Sequence, residues 1–89
     1  MKKDNHYLFM KAKVAFGETA QITQCVEELC ELATALARYL NGKGKTHQVI
    51  EELADAEIML EQMRFYFDPQ LIDGEKKFKL DRLQERLMK

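Results

Sequence analysis

The longest helical pattern in the chain occupies residues 18–40, ETAQITQCVEELCELATALARYL. Its apolar residues recur every three or four positions, as on one face of an α-helix. They are Ile22, Cys25, Val26, Leu29, Leu32, Ala33, Leu36, Ala37 and Leu40. The next residues, 41–45, read NGKGK, and their glycines can adopt positive φ. We therefore expect the helix to end at Leu40, the chain to reverse, and a following helix to pack antiparallel to it.

That following helix is predicted from Thr46, a good N-cap residue, to about Phe67. Its main apolar stripe is Val49, Leu53, Ala56, Leu60, Met63 and Phe67. A second apolar set lies on another side of the helix and comprises Ile50, Ala54, Ile58 and Phe65. A helix that is apolar on more than one side is normally surrounded by protein, and four short helices cannot surround it. We therefore expect a homo-oligomer.

Two outer helices complete the predicted fold, at about Asn5–Ala15 and about Gly74–Met88. The first should stop before Gly17, a common helix terminator. Pro69 is expected to break the third helix, and Asp73 to cap the fourth. The chain is thus predicted to be all-α and a single domain over residues 1–89. Its central helix hairpin would be completed into a bundle by oligomerisation.

Composition favours a globular domain, because the 89 residues are 46% hydrophobic with a net charge of −1. This net charge gives no reason to expect a nucleic-acid or membrane partner. No apolar run approaches the ~20 residues that cross a bilayer, and residues 1–4, MKKD, lead into no signal-peptide core. We expect a soluble, cytoplasmic protein. Cys25 and Cys30 should then be free, mostly buried thiols.

Two acidic clusters lie in the central helices, at residues 27–31, EELCE, and residues 51–55, EELAD. Glu28 and Glu31 are three residues apart and share a helix face, as do Glu52 and Asp55. Lysine or arginine three or four positions away commonly supports a surface acid, and none of these four acids has one. An ordinary solvated helix surface is the simplest interpretation of an acidic run.

A metal site is the alternative interpretation of the two clusters. Oxygen ligands that lack a protein cation are what a hard divalent ion such as Mg²⁺ requires. Two like-charge pairs at i,i+4, Glu27 with Glu31 and Glu51 with Asp55, would otherwise repel without compensation. The sequence has no Glu-x-x-His, which disfavours a di-iron site. Because the two helices are expected to pack together, the acid pairs could face each other across one cation.

The two clusters resemble the motif of the MazG-like all-α nucleoside triphosphate pyrophosphohydrolases. That motif is Glu-Glu-x-x-Glu on one helix and Glu-x-x-Asp on the next. Residues 27–31 and 52–55 reproduce both halves, with twenty residues between them, and the resemblance covers residues 16–87. It implies hydrolysis of a nucleoside triphosphate, above all a deoxynucleotide, to the monophosphate and pyrophosphate. The implied cofactor is Mg²⁺, with Mn²⁺ as the alternative ion.

The resemblance also assigns roles to individual side chains. The implied metal ligands are Glu28, Glu31, Glu52 and Asp55. The catalytic candidates are Glu27 and Glu31, and Glu27 is placed either to support the metal ligands or to activate water. The resemblance also favours a dimer or a tetramer as the oligomer. Gln24 lies four residues before Glu28 on the same face, so it is a candidate substrate contact or support for that carboxylate. Three basic residues share a face of the fourth helix and are candidates to neutralise the outer phosphates, namely Lys79, Arg82 and Arg86.

Two noncatalytic functions stay open on the sequence alone. The acidic face of a helical oligomer could dock on a basic partner protein, or it could hold a metal ion as a buffer or sensor without turnover. The three functions differ in their response to Mg²⁺. An enzyme releases pyrophosphate, a buffer binds the ion and leaves nucleotides intact, and a docking module does neither.

Overall fold

A computed structural model of the protein describes residues 5–88, so residues 1–4 and 89 lie outside the described range. Four helices follow one another: α1 His6–Phe16, α2 Glu18–Leu40, α3 Thr46–Met63 and α4 Pro69–Leu87. The predicted all-α class is confirmed, and α2 has the predicted bounds. Within residues 5–88, no helix combines the length and apolar character needed to cross a membrane.

α1 is anchored at its junction with α2 and at the residues that follow α3. Gly17 joins α1 to α2 with a φ of 84°, a left-handed conformation that glycine adopts without a Cβ clash. The ring of Phe9, which is buried, meets the ring of Phe65 edge-on, with 6.1 Å between their centroids. Lys13 Nζ donates to the main-chain oxygen of Phe65 at 2.8 Å. α1 therefore covers the end of α3.

α2 and α3 make the most extensive contact between helices, and a buried polar network fixes one end of it. Gln21 Nε2 donates to Gln62 Oε1 at 2.7 Å, and the Tyr66 hydroxyl donates to Gln21 Oε1 at 2.6 Å. Burial, and then the negative charge of Glu18, raise the pKa of Tyr66, which keeps its phenol protonated as a donor. Because buried polar groups must be paired, this network favours one register of α2 against α3.

The turn between α2 and α3 ends α2 at the predicted residue and closes back onto it. Gly42 adopts a φ of 72°, as expected for this turn. The main-chain oxygen of Arg38 accepts the N–H groups of Lys43 at 2.9 Å and Gly44 at 3.1 Å. A Cβ atom on Gly44 would lie only 3.2 Å from Arg38 Cβ. The turn therefore braces Arg38 near the end of α2.

α3 is shorter than predicted. Lys45 occupies the N-cap position, and Thr46 is the first helical residue and not the cap. The helix ends at Met63, whereas the apolar stripe had extended it to Phe67. The N–H groups of residues 64–66 donate to carbonyls three residues earlier, which tightens the chain into a turn below α1.

α4 begins at Pro69, five residues before the predicted start at Gly74. Asp68 caps it by accepting the N–H group two residues later at 2.9 Å. Pro69 takes the first helical position, where its missing N–H removes no helical hydrogen bond. Asp73, the predicted cap, instead accepts from Arg64 Nη2 at 2.6 Å. The proline therefore starts α4, and the prediction that Asp73 caps it is wrong.

The face that α3 buries is offset from the predicted stripe. Its buried residues are Ala56, Met59 and Gln62. Leu53 and Leu60, which the stripe assigned to the core, are 40% and 49% exposed. The offset places Glu52 in a half-buried position on the side of α3 that faces α2.

Both cysteines are free thiols, as predicted. Cys25 is buried between helices, and burial raises the pKa of its thiol above the ordinary cysteine value. Cys30 is exposed, so the expectation that both thiols are mostly buried is correct for Cys25 only.

Candidate metal centre

Three carboxylates from two helices converge partway along α2 and α3. Glu28 and Glu31 lie on α2 and Glu52 on α3, and each offers one oxygen within 4.8 Å of the other two. The spacing of three residues places Glu28 and Glu31 on one face of α2. The packing of α3 on that face then supplies Glu52. The structure thus brings together three of the four side chains predicted to bind metal.

The geometry and chemistry of this cluster fit a hard divalent cation. Mg²⁺ binds oxygens at about 2.0–2.1 Å, which places opposite ligands about 4.2 Å apart, so small rotations of the glutamates would suffice to close around it. Glu28 Oε2 and Glu52 Oε2 are buried and have no hydrogen-bond partner among the described residues. No lysine or arginine within residues 5–88 forms an ion pair with the cluster. A bound cation would satisfy both oxygens and offset the repulsion.

Glu52 is the carboxylate whose protonation responds most to this environment. Burial of the group raises the pKa of Glu52 above the ordinary glutamate value, and the negative charges of Glu31 and Asp55 raise it further. A hydrogen bond to the Glu31 carboxyl and the charge of Glu28 act in the same direction. Glu52 in the folded protein therefore binds a proton more tightly than an ordinary exposed glutamate does. A cation would compete with that proton for the carboxylate.

Gln24 supports the cluster from the preceding turn of α2. Its Nε2 donates to Glu28 Oε1 at 2.7 Å. The structure thus has the support of Glu28 proposed for Gln24, and contact of Gln24 with a substrate stays a prediction. The bond uses one oxygen of Glu28 and leaves Oε2, the oxygen without a partner, for a cation. Hydrogen bonds of this kind orient metal-binding carboxylates in many sites.

The two remaining acids of the motif, Asp55 and Glu27, are exposed and lie outside the group of converging oxygens. Asp55 is one turn after Glu52 and is near enough for its charge to raise the pKa of Glu52. Glu27 precedes Glu28 on α2 and faces a different direction around the helix. Their predicted roles, metal ligand for Asp55 and water activation for Glu27, stay predictions.

The predicted phosphate-binding residues of α4 are exposed. Lys79, Arg82 and Arg86 lie on a helix that has no buried residue. The guanidinium of Arg82 sits over the ring of Phe78, 5.8 Å from its centroid. Contact of these three residues with a substrate stays a prediction. The carboxylate cluster lies on α2 and α3, so a substrate that also met these residues would have to extend from the cluster to α4.

Sequence reasoning missed a basic residue that lines the same groove as two of the carboxylates. A groove of about 450 Å³ between α2 and α3 is lined by Glu31 and Glu52 and also by Arg38 and Gln48. Arg38 follows Glu31 by seven residues, two helical turns, and therefore shares its face. That spacing is visible in the sequence and could have identified Arg38 as a neighbour of the cluster.

Comparison with known proteins finds no match for this chain. No protein-family model matches it, and neither do the curated proteins or the solved structures that were searched. The two acidic motifs, residues 27–31 and 52–55, are therefore the feature that suggests a family, and membership of the MazG-like proteins stays a prediction.

Glu52→Gln is expected to change the pH dependence of stability in the metal-free protein. The folded state keeps the Glu52 proton to a higher pH than the unfolded state does, because the pKa of Glu52 is raised on folding. The free energy of unfolding should therefore fall as the pH rises from the ordinary glutamate pKa of about 4.3 through the raised value. Glu52→Gln has no carboxyl group to ionise at this position, so its free energy of unfolding should not fall in this way. The melting temperature of the variant minus that of wild type, measured by circular dichroism, should therefore increase with pH across that interval.

Glu57→Gln is the matched control, because it removes an exposed carboxylate from the same helix outside the cluster. The gain of Glu52→Gln over wild type should grow with pH and should exceed any change seen with this control. A constant difference between wild type and Glu52→Gln across the interval would contradict the burial and repulsion assigned to Glu52.

Proposed function

We propose that the protein is a Mg²⁺-dependent pyrophosphohydrolase that converts a nucleoside triphosphate, above all a deoxynucleotide, to the monophosphate and pyrophosphate. The observation that carries the proposal is the convergence of Glu28 and Glu31 of α2 with Glu52 of α3. These residues belong to both halves of the motif that resembles the MazG-like enzymes. Two unrelated solvated surfaces have no reason to direct at one another three carboxylates that form no ion pair with any described residue, whereas a shared cation requires it.

In the proposed reaction, the side chains position a cation and the substrate phosphates. The carboxylates assigned to the cation are Glu28, Glu31, Glu52 and Asp55. A bound Mg²⁺ or Mn²⁺ supplies neutralisation of phosphate oxygen charge and makes the α-phosphorus more open to attack by water. Gln24 holds the Glu28 carboxylate in place, and Glu27 or Glu31 accepts a proton from the attacking water. Positioning and charge neutralisation are the main requirements of such phosphoryl chemistry.

We also infer that the working unit is a homo-oligomer, a dimer or a tetramer, built on antiparallel α2–α3 hairpins. α4 has no buried residue, and its Phe78, Leu80 and Leu87 are 63%, 59% and 77% exposed. No side chain among the described residues is less than 2% exposed. A small domain with exposed apolar helix faces gains most of its remaining burial by assembly. Assembly is also the route by which the basic residues of α4 would approach a substrate.

Sedimentation equilibrium tests the assembly. The expected mass is two or four times 10.4 kDa, the mass of one chain. Leu83→Glu places a charge on the apolar side of α4, where Leu83 is 48% exposed, and should shift the mass toward that of one chain. Lys76→Glu alters charge on the same helix without removing an apolar side chain and serves as the control. A wild-type mass of 10.4 kDa at the concentrations used for activity would contradict the assembly.

Pyrophosphate release tests the activity. The common nucleoside and deoxynucleoside triphosphates are incubated with the protein and Mg²⁺, and the products are identified by ion-exchange chromatography. At least one substrate should give the monophosphate and pyrophosphate. Glu31→Gln and Asp55→Asn should lower kcat/KM at least about 100-fold, because loss of a ligand should cost more than loss of its supporting hydrogen bond. Glu57→Gln, outside the cluster, should retain wild-type activity.

The same assay separates the alternatives. Release of inorganic phosphate in place of pyrophosphate would identify a different scissile bond and contradict the proposal. Mg²⁺ binding without turnover of any triphosphate would favour a metal buffer or sensor. Absence of both binding and turnover would favour an interaction module that uses the acidic face of α2 and α3 to dock on a basic partner.

A further inference from the structure

The groove beside the carboxylate cluster carries both signs of charge. It has a volume of about 450 Å³ and runs between α2 and α3 from Glu31 and Glu52 toward the turn that joins the helices. That volume lies within the range of about 300–1,000 Å³ that is common for small-ligand sites. Arg38 and Gln48 line it together with the two carboxylates. The groove therefore offers acceptors for a cation and donors for an anion in one space.

The lining residues follow one another along both helices. On α2, Glu31, Thr34 and Arg38 occur at positions i, i+3 and i+7, so they share one face. Arg38 lies about 10 Å beyond Glu31 along the helix axis, at 1.5 Å per residue. On α3, Gln48 precedes Glu52 by one turn, toward the same end of the groove. A ligand held by the carboxylates would thus extend first toward Gln48 and then toward Arg38.

The hydrogen bonds already present leave two donors for such a ligand. Arg38 Nη2 makes one long contact, 3.4 Å to the main-chain oxygen of Lys43, and Arg38 forms no ion pair with any described residue. Gln48 Oε1 accepts the N–H of Lys45 at 2.9 Å, which fixes the amide and leaves Nε2 to donate. Thr34 does not add a third donor, because its hydroxyl donates to the Cys30 carbonyl at 3.0 Å. The planar guanidinium of arginine is well suited to phosphate oxygens.

We propose that this groove holds the outer phosphates of a cation-bound polyphosphate, with the Arg38 guanidinium and the Gln48 amide as its donors. The proposal rests on the proposed function in one respect, that the carboxylate cluster binds a divalent cation. A free anion would be repelled by Glu31, Glu52 and Glu51, which also lines the groove. Binding of the anion would therefore depend on a cation held by the cluster, which would offset these negative charges.

A purely structural role for Arg38 is the competing explanation. Arg38 lies in the last turn of α2, where a positive charge stabilises the helix end. That role requires a positive charge but not the planar guanidinium group, so Arg38→Lys would preserve it. It also predicts no effect of Arg38 on ligand affinity once the variant is folded. Ligand binding by folded variants therefore separates the two explanations.

The test titrates inorganic pyrophosphate into the full-length protein by calorimetry, with and without Mg²⁺. Wild type should bind pyrophosphate in Mg²⁺ and lose binding when the metal is chelated. Arg38→Gln should weaken Mg²⁺-dependent binding about 10- to 100-fold, the usual effect of losing a hydrogen bond to a charged group, and Arg38→Lys should recover only part of it. Mn²⁺ affinity measured alone should be unchanged in Arg38→Gln. Lys77→Gln, which removes an equal charge from exposed α4, is the matched control.

Cys30 provides a second readout inside the same groove. It is exposed and lines the groove, whereas Cys25 is buried, so a thiol reagent reports on one position. Mg²⁺ with pyrophosphate should slow modification of Cys30 in wild type and have a smaller effect in Arg38→Gln. Equal protection in the two proteins would contradict the proposed position of the phosphates.

The outcomes distinguish this proposal from the proposed function. Failure of wild type to bind pyrophosphate in Mg²⁺, or equal affinity in Arg38→Gln and Lys77→Gln, would overturn the phosphate groove even if triphosphates are hydrolysed. Binding that depends on Mg²⁺ and Arg38 would establish the groove even if no triphosphate is hydrolysed. In that second case the hydrolase is wrong, and the groove binds polyphosphate without turnover.

Discussion

Repulsion among Glu28, Glu31 and Glu52 is the interaction on which the centre of this molecule depends. Their oxygens lie within 4.8 Å of one another, and two of those carboxylates have a buried oxygen without a hydrogen-bond donor among the described residues. Helix geometry keeps Glu28 and Glu31 on one face of α2, and packing of α3 on that face holds Glu52 beside them. The fold therefore holds these negative charges together at a cost in free energy, and binding of a cation would lower that cost.

Polar contacts fix the α2–α3 pair at both ends of the carboxylate cluster. At one end, the Gln21, Gln62 and Tyr66 hydrogen bonds fix the register, and at the other the turn closes on Arg38. Polar contacts take this role because the buried apolar set is small. It comprises Phe9, Cys25, Ala56 and Met59. A chain with so little buried apolar surface derives its register from directional bonds, and its remaining stability is expected from assembly through exposed helix faces.

Sequence periodicity identified the four helices but fixed neither all of their ends nor the faces that they bury. The 3.6-residue stripe and the glycines after Leu40 predicted both ends of α2 correctly. The apolar stripe of α3 misplaced Leu53 and Leu60, because periodicity cannot reveal that a half-buried Glu52 and a buried Gln62 face the neighbouring helix. Pro69 was read as a break although it starts a helix, since proline is compatible with both.

In the candidate site, too, contacts within one helix could be predicted from the sequence, whereas contacts between helices depended on how the helices pack. Spacing within one helix correctly paired Glu28 with Glu31, and the turn brought Glu52 to them. The support of Glu28 by Gln24 also follows from spacing on one helix. The groove beside Arg38 depends on how α3 packs on α2, which spacing along one helix does not contain. Charge runs instead drew attention to the basic residues of α4, which the structure leaves exposed.

Paramagnetic broadening by Mn²⁺ tests the central claim, that the converging carboxylates hold a divalent cation, most directly. Substoichiometric Mn²⁺ is added to ¹⁵N-labelled protein, and amide signals are followed by NMR. We expect selective broadening around Glu28 and Glu31 in α2 and around Glu52 in α3, which excess Mg²⁺ reverses. Uniform weak broadening, or broadening centred on the exposed acids of α4, would show that the cluster does not select a cation and would contradict the account.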